Sequence, residues 1–123
     1  MKYLTVNEVI LIHEFLIDEF GGTGGIRDLA ALESALARPK IGHYKNIEEE
    51  SAALMESLAI NHPFIDGNKR ISFFVTDIFL RLNGHFIDCD AQSAHNYFVE
   101  LFESSKFRFI NLLPWLKKHI KQI

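Results

Sequence analysis

The sequence predicts an all-α fold of about six helices. Apolar residues recur at spacings of three and four along most of the chain, capping residues precede several of these runs, and Gly or Pro follows them. Strand-like alternation is scarce, and no repeat or low-complexity linker interrupts the pattern. With 123 residues, 48% hydrophobic and 24% charged, the chain matches one ordinary domain over 1–123, of neither disordered nor fibrous composition.

Taken in order, Thr5 and Glu8 form a capping box, and Val6, Val9, Ile10, His13, Leu16, Ile17 and Phe20 make one face of a first helix ending near Gly21. Gly21-Gly22-Thr23-Gly24-Gly25 reads as a helix stop and loop. As a phosphate cradle it lacks a preceding strand and a Gly-Lys-Ser or Gly-Lys-Thr tail. Asp28 caps a short helix over Leu29–Ala37, halted before Pro39. Residues 39–47 read as an irregular or hairpin-like connection.

Glu48, Glu49 and Glu50 suit the positive end of a dipole, and read as the solvated start of a helix over 51–61. Asn68–Leu82 is the next helix, stopped by Asn83-Gly84. Its Phe73, Phe74, Val75, Ile78, Phe79 and Leu82 cover more than one face, which predicts a helix running through the core. Asp90 caps a helix over 91–104. The last, over 111–120, keeps Pro114 in its first turn and sets Lys117, Lys118 and His119 at its negative end. His13 and His95 read as structural or surface residues, and His85 as a turn residue.

Thirteen Lys and Arg against sixteen Asp and Glu leave a formal charge of −3, with no general attraction for nucleic acid. The single cysteine, Cys89, rules out an internal disulfide framework and fits a reducing compartment. The apolar run 9–12 is flanked by Glu8, His13 and Glu14 without a small-residue cleavage site. The run 71–80, broken by Ser72, Thr76 and Asp77, is far short of the ~20 residues a bilayer requires. A cytoplasmic protein without membrane contact is expected.

The chemistry concentrates in His62-Pro63-Phe64-Ile65-Asp66-Gly67-Asn68-Lys69-Arg70, between two helices. The main-chain N–H groups of Gly67, Asn68, Lys69 and Arg70 stand at a helix N-terminus, where unpaired donors and the dipole favour an anion. Lys69 and Arg70 add cations against the dipole's own preference, which points to a bound phosphate. Asp66 is a hard oxygen ligand suited to a Mg²⁺ that bridges phosphates. His62, across the loop, suits proton acceptance from an incoming hydroxyl near neutral pH. Singly, each of these residues also reads as a cap, a turn or a solvated first turn.

HPFIDGNKR resembles the Fic/Doc signature H-x-F-x-D/N-G/A-N-K/G-R, which joins two central helices of an all-helical fold. The resemblance extends to GGTGGIRDLAALESALARP at 21–39 and FLRLNGH at 79–85, which look like the death-on-curing (Doc) branch. It implies His62 as catalytic base, Asp66 as Mg²⁺ ligand, and Asn68, Lys69 and Arg70 as holders of the phosphates of ATP. Gly67 would let main chain approach phosphate, Phe64 would anchor the loop and Pro63 would stiffen it. The 39–47 connection would be the flap that docks the target segment.

The adenylyl-transferring branch reads G-N-G-R-x-x-R, whereas Lys69 and Phe73 replace its second glycine and second arginine. Lysine fills space where a phosphate chain would lie, and loss of the arginine removes a terminal-phosphate contact. Both changes resemble Doc, which implies a kinase-type toxin transferring the γ-phosphate of ATP to a threonine of elongation factor Tu and so inhibiting translation. No Ser or Thr is followed four residues later by Glu, so the family's inhibitory motif is missing and a separate antitoxin chain is implied. AMP transfer to a protein hydroxyl and a non-catalytic binding module are the alternatives.

Overall fold

A computed structural model describes residues 1–123 as six α-helices and a small two-stranded sheet. The helices are α1 (Val6–Phe20), α2 (Leu29–Ala37), α3 (Ile47–Ile60), α4 (Asn68–Leu82), α5 (Ala91–Glu103) and α6 (Phe109–His119). Local chemistry sets most of their starts. Thr5 and Glu8 complete the expected capping box on α1, while Asp28, Asn46 and Asp90 accept from the first-turn N–H groups of α2, α3 and α5. No helix is long and apolar enough to cross a membrane.

The helix enclosed by the core is α3, contrary to the expectation for α4. Every residue from Ser51 to Ala59 is buried, because its Ser and Ala positions let neighbouring helices approach on all sides. Leu54 and Leu58 join α1, α2 and α4 in one apolar cluster, while Ala52, Met55 and Ala59 join α4, α5 and α6 in a second. Helix α4 is instead two-faced: Ile71, Val75, Phe79 and Leu80 are buried, whereas Lys69, Arg70, Arg81 and Leu82 are exposed. High apolar content does not by itself enclose a helix; small side chains that admit neighbours do.

Four other expectations change. Residues 39–47 form no hairpin: a 3-10 turn over Arg38–Lys40 leads into irregular chain. The sheet lies elsewhere, where β1 (His85–Ile87) pairs antiparallel with β2 (Ile120–Gln122), so His85 opens a strand rather than a turn. Helix α3 begins at Ile47, which places the acidic triplet in its first turn, with Glu50 buried and accepting a 2.6 Å hydrogen bond from the Tyr3 hydroxyl. That bond to a carboxylate, with burial added, pushes the Tyr3 phenol up to about 12. Helix α6 begins at Phe109, so Pro114 falls beyond its first turn.

Glu56 ties the irregular chain to the far side of the molecule. One carboxylate oxygen accepts from Arg38 at 2.6 Å, and the other accepts from the Phe109 main-chain N–H at 2.6 Å and pairs with Arg108 at 3.2 Å. Arg38 also donates to the Tyr44 hydroxyl at 2.8 Å, and the Tyr44 ring lies 5.7 Å from that of Phe109. The 39–47 connection is thereby fastened to α3 and to the start of α6.

Candidate active site

The loop between α3 and α4 is shaped from both ends. Asn68, the first residue of α4, turns its side chain back: its amide N–H₂ donates to the Phe64 carbonyl at 2.9 Å and its carbonyl accepts from the Phe64 N–H at 3.0 Å. Phe64 is 1% exposed and belongs to the first core cluster, which anchors the loop, and Pro63 beside it is buried. The carbonyl oxygen and one N–H of the Asn68 amide are thereby engaged, and its main-chain N–H has no partner within the helix. Gly67 takes φ +78 as it enters α4, a conformation that favours glycine.

His62 is exposed and adopts φ 49. A non-glycine residue there is uncommon and is held by its surroundings. The holder is Arg27, whose guanidinium donates to the His62 carbonyl through Nε and to the Asn61 carbonyl through Nη2, the latter at 2.8 Å. The Arg27 and Asp28 N–H groups both donate to the Pro63 carbonyl, at 2.8 and 3.0 Å, and Ile65 N–H donates to the Gly25 carbonyl at 3.1 Å. Residues 25–28 thus form a strap across the loop that carries His62.

Asp66 projects its carboxylate into solvent beside the glycine-rich segment. One oxygen accepts from Thr23 N–H at 3.1 Å and the other from Gly67 N–H at 2.8 Å. These bonds, that of Thr23 foremost, hold its carboxyl below the usual carboxylate range. Its main-chain carbonyl accepts a 2.7 Å hydrogen bond from Nε2–H of buried His13.

Unlike α1, α2, α3 and α5, helix α4 has no side-chain cap, so the N–H groups of Asn68, Lys69 and Arg70 stay available to an external acceptor. They border a cavity of about 680 Å³ lined by His62, Asp66, Lys69 and Arg70 on one side and by Phe73, Phe98 and Val99 on another. The apolar excess of α4 is used here, since Phe73 and Phe74 form cavity wall. Lys69 Nζ lies 4.4 Å from the Phe102 ring centroid and the Arg70 guanidinium 4.5 Å from that of Phe20, aromatic faces that steady both cations. A cavity of this size with one anion-binding end and one aromatic wall suits a nucleotide.

Of the residues expected at the site, His62, Asp66, Gly67, Asn68, Lys69 and Arg70 line the cavity, Pro63 and Phe64 are buried beneath the loop, and the Gly67 N–H expected to face a phosphate is donated to Asp66 instead. His13, Gly22, Thr23, Arg27 and His95 were not expected there. His95 reaches the cavity wall from α5, His13, Thr23 and Arg27 hold the loop by hydrogen bonds, and Gly22 leaves room beside the Asp66 carboxylate. Only the glycine-rich segment carried a local signal, since four glycines in five residues announce a close approach without naming its partner.

A sequence profile of the family described as "Fic/DOC family" matches residues 3–80. The chain is 40% identical over 70 residues to "Toxin Doc" of Mycolicibacterium smegmatis, covering 53% of this chain and 54% of that protein, so the match spans about half the relative's length. It is 31% identical over 88 residues to "Protein kinase doc" of Escherichia phage P1, covering 68% of this chain and 70% of that protein.

Proposed function

This chain belongs to the Fic/DOC family, and we propose that it is a Doc-like toxin that transfers the γ-phosphate of ATP to a hydroxyl of a protein target. The observation that carries the reading is the shared cavity, in which an uncapped helix N-terminus, two cations and an exposed imidazole meet. The relative named as a protein kinase supports the same class of reaction, and the one named as a toxin supports the toxin reading.

In this reading the N–H groups at the start of α4, with Lys69 and Arg70, bind the phosphates, and the Phe73, Phe98 and Val99 wall accepts the base. His62 takes the proton of the acceptor hydroxyl as its oxygen bonds to the γ-phosphorus. The bond from that phosphorus to the β–γ bridging oxygen breaks and ADP leaves. The donor set fits Mg²⁺ rather than a protein-caged metal: there is no cluster of three His, Cys, Asp or Glu, and Asp66 offers one exposed carboxylate with oxygen lone pairs to spare. Asp66, together with phosphate oxygens of the nucleotide, would hold Mg²⁺, which would supply charge neutralisation there.

Lys69 and Phe73 favour transfer of the terminal phosphate over transfer of AMP, because a lysine stem and an apolar ring occupy positions where the adenylylating pattern has a glycine and an arginine. The target we propose is a threonine of elongation factor Tu in the cytoplasm, with a separate antitoxin protein as the controlling partner. Incubation with Mg²⁺, labelled ATP and purified elongation factor Tu, followed by intact-mass analysis, tests the assignment. A gain of one phosphate supports it; a gain of AMP moves the chain to the adenylyl-transferase alternative, and an unmodified target removes elongation factor Tu as the acceptor.

A further inference from the structure

We propose that His13, on α1, is a positioning residue that sets the main chain of Asp66 for nucleotide-bound Mg²⁺; the inference rests on the metal-holding role assigned to Asp66 above. His13 is 2% exposed and far from the loop in sequence, yet its Nε2–H donates to the Asp66 carbonyl at 2.7 Å. A carbonyl only accepts, so Nε2 carries the proton in this pairing. The imidazole lies on the Phe64 ring with centroids 3.8 Å apart and planes 6° from parallel. A Cβ on Gly67 would stand 3.6 Å from Nε2, so the ring forms the floor beneath residues 64 to 67. Asp66 is thereby held twice, its carbonyl from below by α1 and its carboxylate from the side by Thr23 and Gly67 N–H.

Two replacements separate this role from simple packing. His13→Phe keeps a flat ring over Phe64 and deletes the N–H. His13→Gln keeps an N–H at similar reach and deletes the ring. If His13 works by orienting Asp66, the defect follows the N–H and appears only where metal is bound, because metal-free nucleotide is held by the α4 N-terminus.

The experiment is calorimetric titration of the full chain with a non-hydrolysable ATP analogue, with and without Mg²⁺, beside thermal melting. His13→Phe is expected to weaken Mg²⁺-dependent binding by about tenfold, the lower range for loss of a partner behind a metal ligand, and to leave metal-free binding unchanged. His13→Gln should restore most of the loss, and in an Asp66→Ala background His13→Phe should have no further effect. Equal Mg²⁺-dependent binding by wild type and His13→Phe overturns the inference, as does a parallel loss with and without metal. Should His13→Phe not fold, a folded His13→Gln that lacks Mg²⁺-dependent binding overturns it equally. A wild type whose binding gains nothing from Mg²⁺ removes the role of Asp66 itself, a result distinct from failure at His13.

Discussion

A side chain at Gly22 would meet the carboxylate of Asp66, since a Cβ built there lies 2.7 Å from Asp66 Oδ2 and 3.2 Å from Ile17 Cδ1. Gly22 also has φ +113, a conformation other residues rarely adopt. The glycine-rich segment is therefore the side wall of the proposed metal ligand, and its lack of side chains lets Thr23 N–H reach the carboxylate.

Gly22→Ala should displace Asp66 rather than unfold the chain, because the first-met atom is the end of a side chain at the surface. We expect lower transfer activity and a raised Mg²⁺ requirement, beside a modest fall in melting temperature from placing alanine at φ +113. Activity titrated against Mg²⁺ checks this, and an unchanged Mg²⁺ requirement would exclude the wall role.

His62→Ala should lower transfer by about 10²- to 10⁴-fold, the usual contribution of a positioned base, while leaving stability near wild type because the side chain is exposed. His62→Gly makes a sharper test. It removes the imidazole and suits φ 49, so it should melt no lower than His62→Ala and be as inactive. Single-turnover rates beside melting curves decide both points.

Arg27 should matter to rate more than to folding. Its fork grips the carbonyls of both Asn61 and His62, so Arg27→Ala is expected to lower kcat while ATP binding persists. Arg27→Lys should rescue poorly, since an ammonium cannot present two donors in one rigid plane. Full rescue by lysine would mean that charge alone is required.

Glu56→Ala should be the most destabilising of the polar replacements. It leaves the Phe109 N–H without its acceptor and Arg38 without its carboxylate, though Arg38 keeps its bonds to Tyr44 and Ser57, and we expect a loss of about 2 kcal/mol in chemical denaturation. The loss should be smaller for Glu56→Gln, which retains an acceptor oxygen.

Acid should loosen the start of α5, beside the cavity. Asp90 accepts from the Ser93 N–H at 2.9 Å and the Ser93 hydroxyl at 2.7 Å, and the Ser93 N–H is the leading cause holding its carboxyl below the ordinary value. A depressed folded value means that the stabilisation is present above the unfolded value and is lost as pH falls through the folded one, a window below about pH 4. Asp90→Asn keeps a capping oxygen but cannot titrate. Its stability should fall less steeply than wild type below that pH, and parallel acid limbs would exclude Asp90 as a contributor.

Label carried on the γ-phosphate of ATP should appear in the target, and label on the α-phosphate should not. The expectation rests on Lys69 and Phe73, both of which line the cavity. Transfer of the α-label would reverse the nucleotide's direction while retaining His62 and Asp66 in their proposed roles.

The sequence by itself determined the number of helices, the starts of α1, α2, α4 and α5, and the loop that carries the chemistry, because caps and apolar periodicity act within one or two turns of chain. Thr5, Asp28 and Asp90 cap where they were expected to, and His62 to Arg70 stand together because they are consecutive. Tertiary structure decided what holds them. His13 reaches Asp66 across 53 positions, Arg27 reaches His62 across 35 and Thr23 reaches Asp66 across 43, and no local propensity encodes such pairings. It also decided that α3 rather than α4 is enclosed, since enclosure depends on how many neighbours small side chains admit. The β1–β2 pair escaped notice for the same reason: three residues at 85–87 and three at 120–122 are too short for a periodic signal and become strands only when folding sets them side by side.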